Sequence, residues 1–441
     1  MDILMDSELL LTWSLGISII LLFLIPYILK ERRKEEITRK RLAKTRSNKQ
    51  DKPLLQHPII NRSQCIGCGI CVSSCPEGDV LGLIDGKATI IHGSHCVGHG
   101  LCAENCPVGG IEIGLGDIAL REDIPQIDNH YETNIKGVYI IGELSGMALI
   151  RNAISHGIKA INHIKKNLNP NHAQTYDVLI IGSGPAGLSA TLRAKEVGIR
   201  YLCIDQLEPG GTILQYPRQK LTLVQPVELP LFGHMKNGEY TKEQLLDIWK
   251  EVILSQALII KTNHKLTSID TIEDGFKVHT NQSTFTASKI ILALGRRGTP
   301  RMLGVHGEEL SKVMYQLKDA KTYKNNNILI VGGGDSAVEA AIGLAKQEGN
   351  NVTISYRKEN FFRLKKRNEL YLDDMIRNNK LKVVFNSNLY KINTNNITLF
   401  KNQVYTQIEN DFVFIFAGGE LPFALLKSIN IKFGEKVESI A

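Results

Sequence analysis

Residues 9–29 (LLLTWSLGISIILLFLIPYIL) form a run of 21 positions without a charge, apolar on every side. As a helix at 1.5 Å per residue the run spans about 31 Å, the thickness of a bilayer's hydrocarbon core. Trp13 and Tyr27 sit near its ends, where aromatic belts lie, and Pro26 falls where a kink costs little. The pattern then changes. From residue 176 onward, short apolar runs alternate with glycine-rich turns and amphipathic stretches. A strand is expected over 176–181, a helix over 188–197 and a strand over 201–204. The same order recurs as a strand over 327–331, a helix over 338–346 and a strand over 352–355. Residues 245–253 have the spacing of a core helix.

Charge sharpens the reading of the N-terminus. The chain has 441 residues, room for two to four domains, and a net charge of +8. Residues 1–29 carry −3, with Asp2, Asp6 and Glu8 before the apolar run, and residues 30–52 carry +7. The excess is therefore local, which excludes a nucleic-acid-binding surface. A secretory signal peptide would begin basic and have a shorter apolar core. The positive-inside rule places Met1 outside and Lys30 onward in the cytoplasm, so that a single span anchors the chain in the inner membrane. The basic tract then serves as an anchor on anionic lipid or as a solvated helical spacer.

Seven of the eight cysteines fall between residues 65 and 106. Cys65, Cys68, Cys71 and Cys75-Pro76 have the spacing C-x2-C-x2-C-x3-C-P of bacterial iron–sulfur proteins. Cys96, His99, Cys102 and Cys106-Pro107 repeat it, with His99 in place of the second cysteine. The 20 residues between Cys75 and Cys96 hold a hairpin over 82–91. Zinc sites rarely use so many cysteines at these gaps, and disulfides are disfavoured in a reducing cytoplasm. The stretch 60–116 resembles the two-cluster bacterial ferredoxins. The resemblance implies two [4Fe–4S] clusters with crossed ligation: Cys65, Cys68, Cys71 and Cys106 on one, and Cys75, Cys96, Cys102 and His99 on the other. If His99 does not bind, a three-iron cluster remains at the second position.

Gly182-Ser-Gly184-Pro185-Ala186-Gly187 follows the first strand directly. Its glycines allow the turn, the approach of a pyrophosphate and close helix packing, and Asp205 ends the next strand within reach of a ribose hydroxyl. Gly332-Gly-Gly334-Asp335-Ser336-Ala337 repeats the device. Here no acid ends the next strand. Arg357, Lys358 and Arg363 follow instead, either as ligands of a 2′-phosphate, which favours NADPH, or as solvated loop charges.

The order of the two turns resembles the flavin-dependent thioredoxin reductases and their relatives over residues 175–425. The resemblance implies FAD at the first turn and NADPH at the second. Those proteins end in a strand, a Gly-Asp pair and a helix beside the flavin. Here a similar segment lies upstream, at TNIKGVYII followed by Gly142 and Glu143, with Arg151 and Asn152 opening the helix. A circular permutation is therefore expected, with an independent linker as the alternative. The expected fold is α/β, with two Rossmann-like domains, a small α+β ferredoxin domain and one transmembrane helix. The parts are an anchor (1–29), a basic linker (30–58), the ferredoxin-like domain (59–116), the displaced flavin segment (117–166), the FAD domain (175–300), the NAD(P)H domain (301–425) and a tail (426–441).

After Cys106 the only cysteine is Cys203, inside an apolar strand, so no protein dithiol is available to a flavin. NADPH gives two electrons at once and clusters pass one, and a flavin can do both. The expectation is a membrane-anchored electron transferase between NADPH, FAD, its own clusters and an external one-electron protein. A low-molecular-weight disulfide reductase and a redox-sensing interaction protein are the alternatives, and the choice between monomer and homodimer is left open.

Overall fold

The apolar run and most of the basic tract form one continuous helix, Asp2–Ser47, with Pro26 inside it. Beyond Pro26 the sequence contains no helix breaker before Ser47 and supplies Glu35–Arg39 and Glu36–Lys40 pairs at i,i+4. From residue 12 on the apolar portion is bare, with Trp13, Leu22 and Phe23 exposed at 67%, 68% and 72%. The last turns are not. Thr45 is buried and donates its hydroxyl to the carbonyl of Ile91 at 2.6 Å, and Arg39 pairs with Asp85. The end of the basic tract is thus neither purely lipid-facing nor a free spacer, because it packs on the hairpin that follows.

The computed structural model describes residues 2–434 apart from 49, 54–55, 115–120, 147–148, 170–172, 225, 237, 297–299, 363 and 420–421, and leaves side chains undescribed at 2–11, 121–123 and 223. The chain divides into two units, Met1–Gly114 and Leu115–Ala441.

In the first unit, strand His57–Ile60 pairs antiparallel with Ile111–Gly114. The hairpin Leu81–Ile84 with Lys87–Ile90 turns through Asp85 and Gly86, both at positive φ, as a two-residue hairpin loop requires. Two one-turn helices, Ile70–Ser73 and Leu101–Glu104, each start after a left-handed glycine, Gly69 and Gly100. The sequence repeat therefore recurs in the backbone. Val80, Leu81, Ala88 and Ile111 form a small core with Cys71 and Cys102.

The second unit is built on two large sheets, with a three-stranded antiparallel sheet and several two-stranded pairs beside them. The larger runs in the order Ile260–Lys261, Tyr201–Ile204, Tyr176–Ile181, Thr284–Leu292, Gly275–Thr280 and Leu266–Ile272. Strand Val138–Ile140 joins it, parallel to Thr284–Leu292 with Val138 opposite Ile290. The helix after it, Ile150–Lys166, lies against Pro185–Glu196. The second sheet is fully parallel, in the order Val313–Met314, Phe412–Ile415, Asn327–Val331, Asn351–Tyr356 and Leu381–Phe385. Helices Asp335–Ala345 and Lys366–Arg377 pack on it.

The segment read as a tail departs from expectation. Helix Phe423–Ser428 buries Leu426, Ile431 is buried beside it, and strand Phe433–Gly434 pairs antiparallel with Arg121–Pro125. Apolar side chains at this spacing complete the core under the larger sheet, next to Phe276 and Leu266.

Candidate functional site

Cysteine spacing becomes geometry in the first unit. The wall of one recess carries Cys65, Cys68, Cys71 and Cys106, and the wall of the other carries Cys75, Cys96, Cys102 and His99. Each half of the repeat thus contributes three of these side chains to one recess and one to the other. Gly67 and Gly69 are left-handed beside the first set, and Gly98 and Gly100 beside the second, so the loops wrap tightly. Gly67 has no space for a side chain, since a Cβ would stand 2.1 Å from the carbonyl oxygen of Gly86.

The donor atoms fit clusters. The backbone N–H of Ala88 donates to the sulfur of Cys65 at 3.4 Å, and that of Gly110 to Cys106 at 3.3 Å. Such bonds tune cluster potentials. The hydrogen bond from Ala88 holds the Cys65 thiol below its ordinary range. Burial pushes Cys96 up to about 11 and Cys102 up to about 12, so bare thiolates are costly there without metal charge beside them. Among the described residues no three His, Cys, Asp or Glu side chains converge as a single metal ion would require. Thiols spread around a shared recess suit a polynuclear group. His99 has Nε2 at 3.2 Å from Glu77 Oε1, while its Nδ1 is buried with no hydrogen-bond partner. His95, next to Cys96 in the chain, is buried and bonded through Nδ1 to Asp79 Oδ1 at 2.9 Å.

In the second unit both glycine turns lie at the carboxyl ends of parallel strands, where ligands bind in open α/β sheets. At the first, Gly182 has φ +106 and a Cβ there would stand 2.4 Å from the carbonyl oxygen of Ala293. A Cβ on Gly187 would stand 1.7 Å from the carbonyl oxygen of Gly182. Gly184 caps helix Pro185–Glu196 and faces only Gly211, leaving its backbone approachable by a pyrophosphate. Asp205 holds the turn: one oxygen accepts from the N–H and hydroxyl of Ser183 at 2.6 and 2.7 Å, and the other from the N–H of Leu207 at 2.9 Å.

The upstream segment meets this turn. Gly142 has φ +76, and a Cβ on it would lie 2.9 Å from the Cβ of Ala186. Glu143 follows in a short 3-10 helix, and Arg151 and Asn152 open helix Ile150–Lys166. Gly157 lets that helix press against the backbone of Ala186 and Ala190. His156, which no sequence motif marks, is buried in the same helix. Its Nδ1 accepts from the N–H of Gly142 at 3.3 Å and lies 3.3 Å from the Ser145 hydroxyl, and its ring stacks on Tyr131. Its one sequence signal is a polar residue on the buried stripe of an amphipathic helix.

At the second turn Gly332 has φ +145 and Gly333 lies under the Tyr356 ring, while Gly334 opens helix Asp335–Ala345 with free space above it. Ala337 packs under Gly332, and Ser336 sits in the helix's first turn. Asp335 turns away from this space. Its carboxylate accepts from the N–H of Lys365 at 2.9 Å and the amide of Asn368 at 2.7 Å, and burial raises its pKa. Arg357 and Lys358 are exposed just past strand Asn351–Tyr356, and Arg363 lies outside the described residues. Cys203 is fully buried in its strand, where desolvation pushes the thiol up to about 12.

Two glycine turns at the ends of parallel strands, with a domain of doubled cysteine runs, define an FAD-dependent pyridine-nucleotide oxidoreductase that carries an iron–sulfur domain. Residues 179–439 match the pyridine nucleotide-disulphide oxidoreductase family, and the chain belongs to it. Residues 57–107 match the 4Fe-4S dicluster domain. The chain is 27% identical over 265 residues to bacilliredoxin reductase Bdr of Bacillus subtilis, covering 58% of this chain and 81% of that protein. It is 29% identical to a ferredoxin–NADP reductase of Ignicoccus hospitalis (42% of this chain, 57% of that one) and 30% identical to a thioredoxin reductase of Rickettsia conorii (48% and 64%). Among solved structures it is similar to bacillithiol disulfide reductase Bdr (YpdA) from Staphylococcus aureus, at 27% identity and TM-score 0.53, covering 59% of this chain and 81% of the other.

Proposed function

We propose that the chain is a membrane-anchored electron transferase linking NADPH, FAD, two iron–sulfur clusters and an external one-electron protein on the cytoplasmic face. The observation that carries this reading is the pair of four-ligand recesses, which use every cysteine except the buried Cys203. A flavin bound at the first turn would take a hydride from NADPH and release electrons singly. The chain's own residues bind and orient. Gly182, Gly184 and Gly187 would admit the FAD pyrophosphate, Ala186 stands beside them in the first turn of the helix, and Asp205 would meet the ribose. Gly142, Glu143, Arg151 and Asn152, supplied from upstream, would line the flavin side of that turn as the displaced end of the FAD domain. Gly332, Gly334, Ser336 and Ala337 shape the NADPH turn, Asp335 sets the loop at 365–368, and Arg357 and Lys358 would receive a 2′-phosphate.

The likeness to bacillithiol disulfide reductase Bdr supports a second reading, reduction of a small disulfide at the flavin. Stopped-flow absorbance separates the two. Cys68→Ala should leave NADPH-dependent bleaching of the flavin intact and abolish reduction of a one-electron acceptor such as cytochrome c. Cys203→Ser should change neither. Disulfide reduction that survives loss of the clusters at full rate would replace the first reading by the second.

The helix Asp2–Ser47, long and apolar enough to cross a bilayer, supports the anchor. Charge asymmetry supports the basic end facing the cytoplasm of the inner membrane.

A further inference from the structure

We propose that Glu77 is the positioning residue of the second cluster, holding His99 in the tautomer that presents a bare Nδ1 to the recess. The assignment rests on the two-cluster reading. A carboxylate only accepts, so the contact of 3.2 Å between Glu77 Oε1 and His99 Nε2 puts the ring proton on Nε2. The lone pair of the neutral imidazole is then on Nδ1. That atom is buried without a hydrogen-bond partner, an arrangement that costs stability unless something occupies the lone pair. His99 shares its recess with Cys75, Cys96 and Cys102, three ligands that lack a fourth. Carboxylate–histidine–metal relays of this kind fix ring orientation and raise ligand basicity.

The internal repeat supplies an independent comparison. Cys75-Pro76-Glu77-Gly78 in one half corresponds to Cys106-Pro107-Val108-Gly109 in the other. Val108 lines the recess whose four ligands are all cysteines, and Glu77 lines the recess that contains the histidine. The carboxylate thus lines the recess where a neutral ligand with a second, protonated nitrogen needs it. A thiolate has no second atom to orient, which accounts for valine at the matching position.

The test uses the full-length protein in detergent, prepared anaerobically, with histidine labelled by 15N at Nδ1 alone. Iron per chain and nitrogen hyperfine coupling of the reduced centres are the readouts. Wild type should carry about eight irons, as two four-iron clusters require, with one centre coupled to the label. Glu77→Ala should lose that coupling and part of the second centre's iron, and Glu77→Gln, whose amide oxygen still accepts, should restore most of both. His99→Cys should keep full iron without coupling, and adding Glu77→Ala to it should change nothing. Full iron with no coupling, coupling unaltered in Glu77→Ala, or loss of iron from His99→Cys on adding Glu77→Ala would overturn this assignment alone. Wild type with zinc or with a single cluster would overturn the two-cluster reading together with it.

Discussion

His156 sits under the glycine that the upstream segment brings to the flavin turn, and burial pushes its imidazole down to about 3. In the unfolded chain a histidine titrates near 6.5. The folded state therefore binds fewer protons below that pH, and stability present above about 6.5 is lost as pH falls, at no more than about 1.4 kcal/mol per pH unit from this residue. The thermal midpoint of flavin release should drop between pH 7.5 and pH 5. His156→Gln, which can still accept from the N–H of Gly142, should flatten that drop. Arg357 and Lys358 belong to the same scale. Both are exposed beyond the strand that follows the second glycine turn, Lys358 with its Nζ 4.7 Å from the Phe362 ring centroid, and both are proposed to meet a 2′-phosphate. Replacing both with alanine should weaken NADPH binding by ten-fold or more, on the order of two charge-assisted hydrogen bonds, and leave NADH nearly unchanged. Equal losses in a titration of the two nucleotides would refute the role.

Helix Ile150–Lys166 and the N-terminal helix carry predictions of their own. A Cβ on Gly157 would stand 2.6 Å from the carbonyl oxygen of Ala186 and 2.7 Å from the nitrogen of Ala190, both backbone atoms of the flavin-turn helix. Gly157→Ala should therefore push the two helices apart, costing about 1–3 kcal/mol and loosening the flavin. Gly343→Ala is the control, since its Cβ would meet only a side chain, at 3.6 Å. It should leave the melting temperature unchanged or slightly higher. At the N-terminus, deleting residues 1–29 should release a soluble, coloured protein with both clusters. Deleting 1–52 also removes the Thr45–Ile91 and Arg39–Asp85 contacts, so its clusters should bleach at a lower temperature in an absorbance melt. Identical melts for the two truncations would show that the helix end does not brace the hairpin.

The whole molecule joins two units with very different means of support. The first has a core of a few aliphatic residues around the cysteines, whereas the second has several large clusters under two sheets. Small domains of the first kind depend on their metal for folding. Removing iron with a chelator under reducing conditions should collapse the first unit while NADPH still bleaches the flavin in the second. Loss of flavin reduction at the same chelator concentration would mean that the units do not fold independently. Inside the second unit, Lys220 and Glu339 at 2.9 Å and Arg367 and Glu239 at 3.1 Å join the two dinucleotide-binding domains. Such partly exposed pairs contribute at most about 1 kcal/mol each and leave the domains able to move.

Chemistry that depends on residue type at short spacing was legible in the chain itself. The doubled cysteine runs, the two glycine turns with their strands, and the long apolar helix follow from local rules, because ligand loops, tight turns and helical faces are each built within about ten residues. The strand expected at 176–181 forms there as Tyr176–Ile181, and that at 327–331 as Asn327–Val331. What only tertiary structure decided involves partners far apart in sequence. Cys106 enters the recess of Cys65, Val138 pairs with Ile290, Phe433 closes on Pro125, and Glu77 finds His99. No local pattern announces such contacts. Each exists because a buried polar atom, an open strand edge or an exposed apolar side chain is satisfied by whatever the folded chain brings beside it, and that is set by packing across the whole unit rather than by the neighbours along the chain.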